Sequence, residues 1–196
     1  MRLIKAIMPV ALAAALGGCA LLGGGKAPPY LYTLTPEAPD PGRIARAGPA
    51  GQAVTIAVPA ISKELRTLRV PVQVNPTVVQ YVTNLQWVDT PDRLFQDLLE
   101  ETVRRTTNRV VLDPRQATLD PGLLVNGQLQ RFGYDAATGQ VIVTYDASLS
   151  AGGGGRVETR RFTAAVPADG TAATVGPALN RAANQVALEV ARWIGS

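Results

Sequence analysis

Three stretches constrain the fold of this chain more than any other feature: Leu123 to Tyr134, Gln140 to Ser150 and Val157 to Val166. In the middle one, Val141, Val143, Tyr145, Ala147 and Leu149 alternate with polar residues that include Thr144, Asp146 and Ser148. A period of two puts all five apolar side chains on one side of a β-strand. Short connections join the three, at Ala136-Ala137-Thr138-Gly139 and Gly152-Gly153-Gly154-Gly155, where glycine supplies turn conformations at little cost. The result expected is an antiparallel meander with one apolar face that another layer must cover.

Two segments have the pattern to cover it. Asp89-Thr90-Pro91-Asp92 offers a capping group, a proline at the first helical position and an acid in the first turn. Leu94, Phe95, Leu98, Leu99, Thr102, Val103 and Thr106 then recur at helical spacing, with Arg93, Asp97, Glu100, Arg104 and Arg105 opposite. A last helix is predicted to open at Gly176-Pro177, with a narrow stripe of Leu179, Ala182, Ala183, Val186, Val190 and Ile194. The fold class predicted is therefore α+β: a mixed or antiparallel sheet with two amphipathic helices packed on one face.

The remaining elements are shorter. Tyr30-Leu31-Tyr32-Thr33-Leu34 reads as a first strand and Val54 to Val58 as a second, stopped by Pro59. Between them, residues 35–52 hold four prolines and three glycines and read as a long irregular loop. Ile61 to Val74 has no clean period and leads into a strand from Arg69; Val78 to Val82 and Arg109 to Leu112 are further strands, and Asn84 to Val88 carries Trp87 to the helix start.

The first residues are of a different kind. Arg2 and Lys5 precede an apolar run, Ala6 to Leu16, which is shorter than the roughly 20 residues a membrane-spanning helix needs. Leu16-Gly17-Gly18-Cys19 closes that run with the only cysteine of the chain and resembles a bacterial lipobox. Residues 1–18 are read as a lipoprotein signal peptide, residues 19–29 as a flexible glycine-rich tether, and residues 30–196 as one domain. Cys19 is the lipidation candidate. A lone thiol in an oxidising compartment invites unwanted pairing, which acylation would prevent. Ala20 follows Cys19 where an aspartate would signal inner-membrane retention, so the expected location is the outer membrane, lipid-anchored and facing the periplasm.

Composition narrows the function classes. Arg2 and Lys5 lie in the leader, so of the 19 basic residues 17 remain against 15 acidic ones, a near balance that argues against nucleic acid as partner. The chain has no histidine, which removes the commonest general base and metal ligand together. No serine sits in a G-x-S-x-G elbow, and Asp89 and Asp92 are better read as helix-start residues than as a glycosidase pair. The chain is read as no enzyme, with no cofactor and no metal.

The order of features resembles the ABC-type transport auxiliary lipoprotein family: the leader with its lipobox, Tyr30 to Leu34, a valine-rich strand ending in proline, Tyr81, and Trp87-Val88-Asp89-Thr90-Pro91-Asp92-Arg93-Leu94. The resemblance implies a non-catalytic outer-membrane component of an MCE-type system that moves phospholipid or another hydrophobic molecule. Its implied partners are an MCE-domain substrate-binding protein, an ABC permease and an ATPase, with a homo-oligomer suiting the family. The alternative from another class is an outer-membrane assembly lipoprotein, such as a lipopolysaccharide-export accessory.

Four residues are candidate partner or oligomer contacts. Leu65, Leu68 and Val70, with Val72, form an apolar group outside any period, which fits either an exposed patch or a buried strand. Trp87 fits either an interface aromatic or a core one.

Overall fold

The computed structural model describes residues 30–43, 45–115, 122–151 and 157–195. Strands β1 (Val54–Ile56), β2 (Ala60–Ile61), β3 (Arg69–Asn75) and β4 (Val78–Gln86) come first, then helix α1 (Pro91–Thr106). Strand β5 (Val111–Leu112) precedes the long β6 (Leu123–Asp135), β7 (Gln140–Ala151) and β8 (Val157–Pro167), and α2 (Ala172–Gly195) closes the chain.

Strand β6 is the axis of a single eight-stranded mixed sheet. Along one edge it pairs antiparallel with β7 from Leu123↔Ala151 to Asp135↔Gln140, and β7 pairs in turn with β8. Along the other edge it takes three short parallel partners in succession: β1 at Leu123 to Val125, β2 at Gln128 and Leu129, and β3 at Tyr134 and Asp135. Strand β4 adds to β3 antiparallel, and β5 to β1 in parallel. The meander expected from alternation is therefore present, and the parallel half is built by a segment that runs beside β6 in steps.

Two irregularities keep apolar residues facing inward. A register shift between Leu129 and Arg131 inserts an extra residue in β6, so that Leu129 and Phe132, three apart, are both buried. Asn84, at φ 58°, does the same in β4, and Val82, Leu85 and Trp87 all reach the core. Asparagine is among the few side chains that tolerate this left-handed region. Gly127 is required by close approach, since a Cβ there would collide with the Asp146 carbonyl and lie 2.5 Å from the Tyr145 ring. Tyr145 thus packs flat into the sheet, meets Phe95 edge-on at 5.1 Å, and has its phenol pushed up by burial.

Both helices cover the same face and pack against each other, and α2 lies on β7 and β8. Helix α1 buries Leu94, Phe95, Leu98, Leu99 and Val103, and its last turns are closed by Thr102, Thr106 and Thr107 hydroxyls that donate to carbonyls four residues back. The alanine-rich stripe of α2 is fully buried, from Ala178 through Ala182, Ala183 and Ala187 to Ala191, which lets the helix lie close to its neighbours. The opposite sheet face is polar. On it Arg161 clamps Asp146 through Nε at 2.6 Å and Nη2 at 2.7 Å, and Gln130 donates to the same carboxylate.

Several boundaries differ from the sequence reading. Tyr30 to Leu34 is extended but makes only an isolated bridge, Tyr32↔Trp87, because backbone pairing is confined to Tyr32, whose amide and carbonyl bond Gln86 and Val88. The second strand stops at Ile56, and pairing resumes at Ala60. Strand β4 continues to Gln86, through the stretch expected to lead straight into the helix. Helix α2 starts at Ala172, with Pro177 inside it. Asp169 organises that start by accepting bonds from the Thr171 amide and from the Thr171 and Thr174 hydroxyls, which holds its carboxyl down at about 2. At α1, Pro91 occupies the first turn as expected, while Thr90 makes no side-chain cap. Residues 1–29, including Cys19, and the Gly152 to Gly155 turn lie outside the described residues.

Candidate functional site

The extended stretch that begins at Tyr30 packs across the ends of β4 and α2, and the residues that receive it make up the candidate site. Past Tyr30 the chain runs as an extended strap. The Tyr32 amide donates to the Gln86 carbonyl at 2.8 Å and the Val88 amide to the Tyr32 carbonyl at 2.9 Å. The Trp87 amide in turn donates to Leu68 O at 2.8 Å, which draws Leu68 to the same place. The Tyr32 ring passes over α2 at Gly176, where any Cβ would collide with it, and its hydroxyl donates to Ala172 O at 3.1 Å. Desolvation first, then the neighbouring Tyr30, raises the Tyr32 phenol above its ordinary value. Aromatic rings continue inward: Tyr30 to Tyr32 at 5.8 Å, Tyr32 to Trp87 at 6.4 Å, and Trp87 to Phe132 at 5.6 Å.

Beyond Tyr32 two asparagines one helical turn apart hold the strap to α2. Asn184 accepts from the Glu37 amide at 2.7 Å and donates to Thr35 O at 2.9 Å, while Asn180 accepts from the Thr35 amide at 2.8 Å. Arg105 of α1 then donates to Ala38 O at 2.9 Å, so the strap crosses from one helix to the other. The sequence reading missed this device. Its signal was there: two asparagines at i and i+4 inside a helix otherwise rich in alanine, where asparagine has poor intrinsic propensity.

The structure separates the four contact candidates. Leu65, Val70 and Trp87 are buried, at 1%, 0% and 0% exposure, and belong to the core, so an exposed patch does not include them. The indole N–H of Trp87 has no hydrogen-bond partner among the described residues. Leu68 is 38% exposed and shares the surface beside the strap with Tyr30, Leu31 and Val88, which are also exposed. Tyr30, Leu31, Leu68 and Val88 thus form an apolar rim around a buried tryptophan.

The family model of the ABC-type transport auxiliary lipoprotein component matches residues 32–191. The chain belongs to that family. The matched span starts at Tyr32 of the strap and takes in every strand and nearly all of α2. Among solved structures, protein XCC0632 from Xanthomonas campestris, of family DUF330, is similar at 20% identity, with TM-score 0.71 over 85% of this chain and 94% of that one. An uncharacterized protein is similar at 15% identity, with TM-score 0.60 over 76% of this chain and 96% of that one. At these identities the likeness is one of fold. No curated protein matches the chain. As a member of this family it is an auxiliary component of ABC-type transport, a role that points to transporter partners and away from catalysis. No helix among the described residues is long and apolar enough to cross a membrane.

Proposed function

We propose that this protein is an acylated, periplasm-facing outer-membrane subunit of an MCE-type transport system that moves phospholipid or another hydrophobic molecule. Its work is positional. Acyl chains on Cys19, each held by about 0.8 kcal/mol per buried CH₂, keep the domain at the membrane. Residues 19–29 set its reach, at most about 40 Å for a fully extended chain of that length. The strap fixes where the tether leaves the domain, and the domain docks the periplasmic MCE protein, which the permease and ATPase serve.

The observation that carries this reading is the family match across residues 32–191, to which the strap adds a physical role for the segment next to the tether. The test is co-purification. In neutral detergent, the acylated protein should retain the MCE protein and permease of its own host. A Cys19→Ser variant should be released from the outer-membrane fraction. Recovery of a β-barrel export partner in place of the ABC components would overturn the proposal.

A further inference from the structure

At the C-terminal ends of both helices the surface folds into a cleft of about 970 Å³. Its charged lining is Arg46, Arg105, Arg109 and Arg192, with no aspartate or glutamate among the lining residues. A smaller hollow of about 170 Å³ shares Arg46 and Arg109 and adds Arg104. Basic residues at a helix C-terminus have an ordinary use, which is to hold the last carbonyls. Arg109 serves that use in part, donating through Nε to Ile194 O at 2.9 Å and through Nη1 to Gln52 O at 3.2 Å.

That use leaves most of the charge unaccounted for. Arg104 and Arg105 are paired with Glu100 and Glu101 along α1. Arg46, Arg109 and Arg192 have no carboxylate within ion-pair distance among the described residues. Arg46 donates to the Arg109 carbonyl at 3.0 Å, which ties its side chain to the backbone of Arg109 at the cleft. Arg109 is locked by contacts to α2 and to the residues before β1, so it faces the cleft pre-positioned, with N–H donors to spare. Uncompensated like charges in a concavity raise the local concentration of anions, and the planar fork of guanidinium matches the oxygens of a phosphate.

We infer that this cleft binds a phosphate-type oxyanion, the chemistry shared by a phospholipid headgroup and by free phosphate. Three guanidinium groups that line one cleft, with no aspartate or glutamate among its described lining residues, favour a multiply hydrogen-bonded phosphoryl group over a single carboxylate. The inference stands apart from the anchoring proposed above, since neither Cys19 nor any transporter subunit enters it.

The test titrates the full chain in neutral detergent, by calorimetry and ³¹P NMR, with inorganic phosphate in one arm and dihexanoylphosphatidylglycerol in the other. Binding in either arm, weakened about tenfold or more by Arg192→Glu and abolished by Arg46→Glu plus Arg192→Glu, is the result expected. Binding of the lipid alone identifies a headgroup site, and binding of inorganic phosphate alone a free-anion site. Arg192 is exposed and makes no bond the fold depends on, so its single variant remains informative if the double variant is unstable. Arg93→Glu plus Arg181→Glu, on exposed positions away from the cleft, changes the net charge equally and should bind normally. Absence of binding in both arms, or equal weakening by the control pair, overturns the inference.

Discussion

Replacing Asn184 by alanine tests whether the strap is a fixed part of the domain. Asn184 is buried, and two of its side-chain bonds cross to the strap: from the Glu37 amide at 2.7 Å and to Thr35 O at 2.9 Å. Its third stays within α2, to Asn180 O at 2.9 Å. A typical intramolecular hydrogen bond contributes about 1 kcal/mol net, so losing the two crossing bonds costs the docked strap about 2 kcal/mol. Thr35 and Glu37 are exposed residues, so water can take over their freed groups and no larger burial penalty is expected. A change of about 2 kcal/mol raises local opening about 30-fold. Hydrogen exchange followed by mass spectrometry should show that acceleration in peptides covering residues 30–40, while β6 and β7 keep their protection. Unchanged exchange in the strap, or acceleration spread evenly over the sheet, would refute the reasoning.

Three further outcomes are expected. Gly127→Ala places a methyl group against the Asp146 carbonyl and the Tyr145 ring in the central strand, and should lower unfolding free energy by about 1–3 kcal/mol in urea titrations. Leu65→Asp buries an unpaired carboxylate and should unfold or severely destabilise the domain, whereas Leu68→Asp on the surface should leave the melting temperature within a few degrees; equal effects would place both residues in one environment. Asp169 has its carboxyl depressed from 3.8 to about 2 by the Thr174 and Thr171 bonds, so its stabilising contribution is present above pH 3.8 and is lost as pH falls through 2. The stability difference between the native chain and Asp169→Asn should shrink over that interval, and a difference that stays constant with pH would contradict the assignment.

Much of the sheet was legible because its strongest signals are local. The alternation from Val141 to Leu149 and the turn at Ala136 to Gly139 define a hairpin without reference to distant residues, and Pro91 with its neighbours marks a helix start in the same way. What was not legible depends on non-local pairing. Tyr30 to Leu34 has the residues of a strand and an extended backbone, but Tyr32 finds its backbone partners at Gln86 and Val88, and its hydroxyl and the Thr35 amide find theirs about 140 residues away on a helix, which no local pattern encodes. Leu65 and Val70 lack a period because the segment between β1 and β4 joins the edge of β6 in short steps, each with its own facing. Gly176-Pro177 resembles a helix start, yet the Asp169 and threonine cluster begins the helix one turn earlier. The arginine cleft drew residues from the 35–52 loop, the end of α1 and the end of α2, so it exists only once the chain is folded.

The anchoring proposed for this protein requires lipid on Cys19, and the intact mass of the protein isolated from its host's membranes tests that most directly. The predicted mass is that of a chain beginning at Cys19, increased by a diacylglycerol and a further acyl group. A mature protein that keeps residues 1–18, or that starts at Cys19 with a free thiol and amine, would contradict the account.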